Sequence, residues 1–290
     1  MLSLKQLREI PRDSWSGHNH TEFCSHGSGE DVELYIQKAI AEGFKTYSIT
    51  EHFPLPQAFY ERANGSAHSI YTAAMRINEL PRYFAKMQKI KQKYQADIKI
   101  LIGFEIDYIT EFREWTQNQL VKYANQVDDT ILSVHFLPTK AGLSAVDDSL
   151  LDFKNGVLSE YQRPVEVAKA YLTTVMEAVT WDTRYKPKRY GHIMLYRKWR
   201  NEFSSNTVWE DEQVQNKLHA ILDEIADRGE LLDCNFAGLF RRTQTETSPN
   251  YNWIQQAQEK RIPLVYGADA HKVESVSAGF NTYLENKYYL

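Results

Sequence analysis

The chain has 290 residues, 42% of them hydrophobic, which suffices for one large core; α/β barrels often reach this length as one domain, so residues 1–290 are read as a single domain. Basic and acidic side chains number 34 and 38, the net charge is −4, and no block of like charges occurs, which argues against a dedicated nucleic-acid binder. The mean hydropathy is −0.54 and no run approaches the roughly 18 apolar residues of a membrane helix, which excludes such a span.

In chain order, Met1 to Arg12 mixes Lys5, Arg8 and Glu9 with leucines. It lacks the apolar stretch and small-residue cleavage site of a secretory signal, so a cytoplasmic location is expected. The two cysteines, Cys24 and Cys234, are too few for a disulfide scaffold and suit a reducing compartment. Trp15 to His18 reads as a first strand. Ser28 can cap a helix over Gly29 to Glu42, with Leu34, Ala39 and Ile40 as a partial apolar stripe and Gly43 as its stop. Phe44 to Thr50 is a second strand. Ala67 to Tyr94 reads helical but contains Pro81, which predicts a kink or two helices meeting there. Ile98 to Phe104 and Thr130 to Val134 are the next strands. Thr139 to Gln162 has weak periodicity and carries Gly142, Asp147, Asp148 and Gly156; it reads as a long loop over one end, its two aspartates solvated. Pro164 stands at a first helical position, and Val165, Ala168, Leu172, Val175 and Val179 follow in steps of three and four. Tyr190 to Met194 is a fifth strand. Val214, Leu218, Ile221, Leu222 and Ile225 form another buried stripe before Gly229, and Leu231 to Asn235 and Leu264 to Gly267 complete the strands. Apolar strands without polar alternation, each followed by a helix, predict parallel right-handed βαβ units closing into a barrel of seven strands rather than eight.

In such a barrel the C-terminal strand ends converge on one pocket. The first strand runs into His18 and His20, the second into Glu51 and His52, the third into Glu105. The fourth ends at His135, the fifth carries His192, and the seventh runs into Asp269 and His271. His18 and His20, like Asp269 and His271, are i, i+2 pairs, which extended backbone projects to one side. Imidazole and carboxylate are ligands for Zn²⁺, Mn²⁺ and Fe²⁺, and one carboxylate such as Glu105 can bridge two ions roughly 3.5 to 4 Å apart. Enough ligands exist for more than one metal. Glu51 and His52 are adjacent, so a strand points them to opposite sides and only one enters the pocket.

The ordered set Gly17-His18-Asn19-His20-Thr21, His26, Thr50-Glu51-His52, Gly103-Phe104-Glu105-Ile106-Asp107, Ser133-Val134-His135-Phe136, Gly191-His192 and Asp269-Ala270-His271 resembles the polymerase and histidinol phosphatase (PHP) family over nearly the whole chain. The resemblance implies a distorted seven-stranded TIM-like α/β barrel with a trinuclear centre of divalent zinc, iron or manganese. By motif, His18, His20, Glu105 and Asp269 would hold one ion, Glu105 would bridge to a second held by His135 and His192, and His26, His52 and His271 would hold the third. The family pattern selects His52 over Glu51, which becomes a supporting carboxylate. Phe44 to Pro54, Ile98 to Glu105, Asn235-Phe236-Ala237-Gly238-Leu239 with Arg241, and Glu246-Thr247-Ser248-Pro249 resemble the histidinol-phosphatase branch, although Ser248 stands where a tyrosine is expected.

The implied reaction is hydrolysis of L-histidinol phosphate to L-histidinol and phosphate in histidine biosynthesis. Two cations lower the pKa of a bridging water to about 7 and so provide the attacking hydroxide. Asp269 or a neighbouring histidine such as His271 would relay the proton to the leaving alkoxide, with Glu105 holding the bridged pair. Arginine forks match phosphate oxygens, and Arg163, Arg197, Arg241 and Arg242 are the candidates, each weighed against a solvated surface charge. Glu246 is a candidate partner for the substrate's ammonium or imidazole. His68 and His219 read as surface or packing residues, and Cys24 as a packed thiol rather than a ligand. The rival readings are a nuclease or phosphoesterase with another ester as substrate and a non-catalytic metal-binding barrel.

Overall fold

The computed structural model describes residues 1–205 and 207–290 in full. Among the described residues the strands, in chain order, are β1 (Trp15–Ser16), β2 (Thr46–His52), β3 (Ala63–Asn64), β4 (Lys99–Asp107), β5 (Asp129–Ser133), β6 (Phe136–Thr139), β7 (Gly142–Ala145), β8 (Arg189–Tyr190), β9 (Leu231–Asn235) and β10 (Leu264–Gly267). Seven of them form one parallel sheet in the order β1-β2-β4-β5-β8-β9-β10, the expected succession of parallel strands. All seven residues of β2 are buried, as are eight of the nine in β4, because helices cover the outer face and side chains fill the inner one.

The sheet closes on itself beyond β1. Gly17 N donates to Tyr266 O at 2.8 Å, Asp269 N to His18 O at 2.9 Å and His20 N to Ala270 O at 3.0 Å, so Asn19 and Ala270 form a parallel bridge. The two i, i+2 pairs that the sequence singles out thus lie side by side at the seam. Toward the opposite end, Leu7 and Ile10 pack on Trp15, Leu101, Leu231 and Val265. Inside the barrel the fully buried Arg189 pairs with Asp129, whose Oδ2 also accepts from Ser48 Oγ at 2.8 Å.

Local departures from the sequence reading have simple causes. Asp31, not Ser28, caps the first long helix, Val32–Ala41, by accepting from Glu33 N; the Ser28 hydroxyl donates to Glu30 instead. That shift turns Val32, Tyr35, Ile36 and Ala39 inward and leaves Leu34 46% exposed. Of the two outcomes expected at Pro81 the second holds: it does not kink a helix but sits in the first turn of one, Leu80–Lys93, where a 3-10 turn over Ile77–Glu79 meets it, and Ala67–Tyr71 is a separate short helix. The segment from 139 to 162 is not an open loop. It folds as the β6–β7 hairpin, joined by β3 into a second sheet, followed by short helical turns over 150–161. Gly142, at φ 134°, makes the turn possible, since a Cβ there would lie 2.1 Å from Arg62 O. Leu55, Phe59, Phe136 and Leu143 form the small core beneath this sheet. Among the described residues no helix is long and apolar enough to cross a membrane.

Candidate metal centre

Strand register brings the ionisable residues together. His52 on β2 pairs with Glu105 on β4, and Asp107 on β4 pairs with Ser133 on β5, two positions before His135. Glu105, 1% exposed, is the hub. Its Oε2 lies 3.2 Å from His18 Nε2, 3.6 Å from His20 Nε2 and 3.4 Å from His52 Nδ1; its Oε1 lies 2.8 Å from His192 Nε2 and 3.6 Å from His135 Nε2. Asp269 Oδ1 is 3.2 Å from His20 Nε2 and 3.7 Å from His18 Nε2. His271 and the exposed His26 form an outer pair whose Nε2 atoms stand 3.0 Å apart. All nine candidate ligands therefore meet at one barrel mouth.

The orientation of the imidazoles tests whether this set suits cations. Asp233 Oδ2 accepts from His18 Nδ1 at 2.9 Å, Glu51 Oε1 from His20 Nδ1 at 3.2 Å and Asp107 Oδ1 from His135 Nδ1 at 2.6 Å. Backbone carbonyls do the same for the outer pair: Thr72 O faces His26 Nδ1 and Asp269 O faces His271 Nδ1, both at 2.9 Å. Each Nδ1 that carries its proton toward such an acceptor leaves an Nε2 lone pair aimed into the centre. There, His18 Nε2, His20 Nε2, His52 Nδ1 and Glu105 Oε2 are buried with no hydrogen-bond partner. Buried polar atoms are normally paired, and lone pairs converging on a carboxylate fit a cation rather than one another.

The titration behaviour tells the same story. Burial alone would depress His135, but the carboxylates of Asp107 and Glu105 outweigh it and push it up to about 10. His20, likewise buried, is pushed up to about 9 by Asp269 and Glu51. Burial would raise Glu105 and Asp269, yet His18 and its neighbours hold both well below the usual carboxylate range.

The centre opens into a cavity of about 1040 Å³. Arg241 lines it and reaches Asp269, NH2 to Oδ2 at 3.7 Å. The other basic candidates lie elsewhere. Arg163 is 70% exposed at its side chain and pairs with Glu166. Arg242 is exposed. Arg197 is buried and its fork is taken by Glu246, Nε to Oε1 at 2.5 Å, and by Glu210 at 2.8 Å. Glu246 also receives Arg200 at 2.9 Å, so these charges neutralise each other outside the cavity lining. Ser248 bridges Asn235 through the backbone and accepts from Met194 N at 3.1 Å, a packing role. Cys24 is 5% exposed beside His20, His52 and His271, and burial pushes its thiol pKa up. His68 stands at the cavity mouth, 3.3 Å from Asp148, and His219 packs on Trp253.

Sequence reasoning assigned no role to Asp107, Asp233 and Lys198. The first two are strand carboxylates, Asp107 at i+2 from Glu105, a spacing that could have marked it, and Asp233 without such a signal; the third lines the cavity and pairs with Asp147 at 3.1 Å, which is therefore not a solvated loop residue.

The model of the PHP domain family matches residues 16–237. Histidinol-phosphatase of Bacillus subtilis (strain 168) is 33% identical over 271 residues, covering 93% of this chain and 97% of that protein. A crystal structure from Listeria monocytogenes, assigned as a histidinol phosphatase, is 40% identical with a TM-score of 0.91 and covers 93% of this chain and 99% of its own. Histidinol phosphate phosphatase from Lactococcus lactis, solved with zinc, L-histidinol and phosphate, shares the fold at 20% identity and a TM-score of 0.68, covering 95% and 94%.

Proposed function

Given that the chain belongs to the PHP domain family, we propose that it is a metal-dependent phosphomonoesterase, a histidinol-phosphatase that converts L-histidinol phosphate to L-histidinol and phosphate. The observation that carries the hydrolytic reading is the set of unpartnered buried donors around Glu105 Oε2; the names of the relatives supply the substrate. In this proposal His18, His20, Glu105 and Asp269 hold one divalent ion, Glu105, His135 and His192 a second, and His26, His52 and His271 a third, of the zinc, iron or manganese kind that such donors favour. Bound there, the ions supply Lewis-acid polarisation of the phosphoryl oxygens and a water whose pKa falls to about 7.

The chain's own residues do the rest. Asp233, Glu51 and Asp107 fix the tautomers of His18, His20 and His135, so their lone pairs are pre-aimed. Arg241 and Lys198 bring positive charge to the cavity wall where a phosphate dianion must sit. Asp269, with Oδ1 turned to His20 at 3.2 Å and Oδ2 on the cavity side 3.7 Å from Arg241, is placed to take the proton of the attacking water and return it to the departing alkoxide. His271 Nδ1 is tied to the Asp269 carbonyl, so the two move as one unit.

The test is a phosphate-release assay on the metal-loaded protein with L-histidinol phosphate beside a phosphodiester such as bis(p-nitrophenyl) phosphate. A preference for the monoester supports the proposal; a clear preference for the diester rejects it.

A further inference from the structure

One wall of the cavity has no task in the scheme above. Val146 N donates to His135 O at 2.9 Å, so the end of the β6–β7 hairpin runs alongside the segment that carries His135. Trp199 Nε1 donates to Val146 O at 2.9 Å from the other side. Asp147, the next residue, is thereby fixed at the rim of the metal centre, lines the same cavity as His135 and His192, and feels both electrostatically. Lys198 Nζ meets its Oδ2 at 3.1 Å; among the described residues no other group bonds its carboxylate, which leaves Oδ1 available in the cavity. Asp148 is engaged separately, by His68 at 3.3 Å.

A carboxylate in that position is a liability for a plain phosphate monoester. The dianion needs Lys198 and Arg241, and Asp147 repels it while competing for Lys198. The liability disappears if the substrate carries its own cation a few bonds from the ester oxygen. A β-amino alcohol phosphate does so, with its ammonium two carbons away. The wall then presents positive charge to the phosphate and negative charge to the amine.

We propose that Asp147 receives the substrate's ammonium and so selects amine-bearing phosphate monoesters over plain ones. This rests on the phosphatase reading of the same site. Asp147 is a specificity residue: it touches the substrate at a distance from the reacting bond, and Lys198 holds it in place.

The experiment compares L-histidinol phosphate with 3-(imidazol-4-yl)propyl phosphate, which has the same ester and ring but no amine, on the metal-loaded wild-type chain and on Asp147→Asn. Metal content and thermal unfolding are recorded for both proteins. Wild type prefers the amine-bearing ester. In Asp147→Asn, kcat/KM for L-histidinol phosphate falls roughly 10- to 100-fold, mostly through KM, as expected for loss of a charged hydrogen bond, and the preference over the amine-free ester collapses. A variant that keeps the wild-type preference, or loses both esters to the same extent, overturns the inference. So does a wild-type protein that cleaves both esters equally well, an outcome that leaves the phosphatase reading standing. If metal-loaded wild type cleaves neither ester, the phosphatase reading fails and this one with it.

Discussion

Asp107 shows how a residue outside the ligand set shapes the centre. It stands two positions after Glu105 on β4, on the same side of the strand, and takes the Nδ1 proton of His135 at 2.6 Å. An amide at that position keeps the shape but removes the charge that makes the imidazole a strong donor. Asp107→Asn is therefore expected to weaken metal binding by about 10- to 100-fold, measured by competition with a chromophoric chelator, while the fold persists. Affinity equal to wild type would show that His135 does not need its carboxylate. The ligands themselves are legible in the sequence because they cluster in unusual i, i+2 pairs and at strand ends. Of their supporting acids only Glu51, beside His52, is legible; Asp107 and Asp233 are not. Asp233 lies inside Leu-Leu-Asp-Cys-Asn, where only the fold shows that His18 is opposite. The pairing of Arg197 with Glu246 is hidden for the same reason: 49 residues separate two charges that neutralise one another.

At the scale of elements, register does the positioning. Gly191 follows the short strand β8 and precedes His192; a Cβ there would lie 2.1 Å from Ser133 Oγ and 2.9 Å from Ile131 Cγ2. Ser133 Oγ donates to Glu105 Oε1, so the missing side chain at 191 lets a neighbouring strand support the hub. Gly191→Ala is expected to cost about 1–3 kcal/mol by overpacking and to loosen Glu105. A urea unfolding midpoint indistinguishable from wild type would contradict this. Six of the seven main strands are legible as apolar runs bounded by turns, and β9 and β10 agree with the expectation residue for residue, but the fifth, expected over Tyr190 to Met194, is only Arg189–Tyr190, and His192 lies beyond its end rather than on it. The β6–β7 hairpin is not legible. Its strands have four residues each and its partner β3 only two, too short for periodicity. That hairpin forms the wall bearing Asp147, so the least legible element is the one nearest to substrate choice.

Over the whole molecule, charge buried away from the mouth is paired, as in Arg189 with Asp129 and Arg197 with Glu246, and Lys186 is a further case. Its side chain is 2% exposed, with Nζ 2.6 Å from Val179 O, 2.7 Å from Tyr190 Oη and 3.3 Å from Glu230 Oε2. Burial outweighs the pull of Glu230 and lowers its pKa to about 8. Between pH 8 and its ordinary value of 10.5, the unfolded chain keeps a proton that the folded chain has released. In that window this group makes stability rise with pH. Below pH 8 both states carry the proton and its contribution is constant. The difference in melting temperature between wild type and Lys186→Met should shift in favour of wild type as the pH goes from 8 to 10; a difference that stays flat would contradict the assignment.

The most direct test of the account joins metal content to turnover at the residue where every line converges. Wild-type protein and Glu105→Ala, both shown to be folded by circular dichroism, are analysed for bound divalent metal and for phosphate release from L-histidinol phosphate. The account predicts more than one ion per chain and phosphate release for wild type, and for the variant the loss of at least one ion and of nearly all turnover. A Glu105→Ala protein that is fully metallated and active would contradict it.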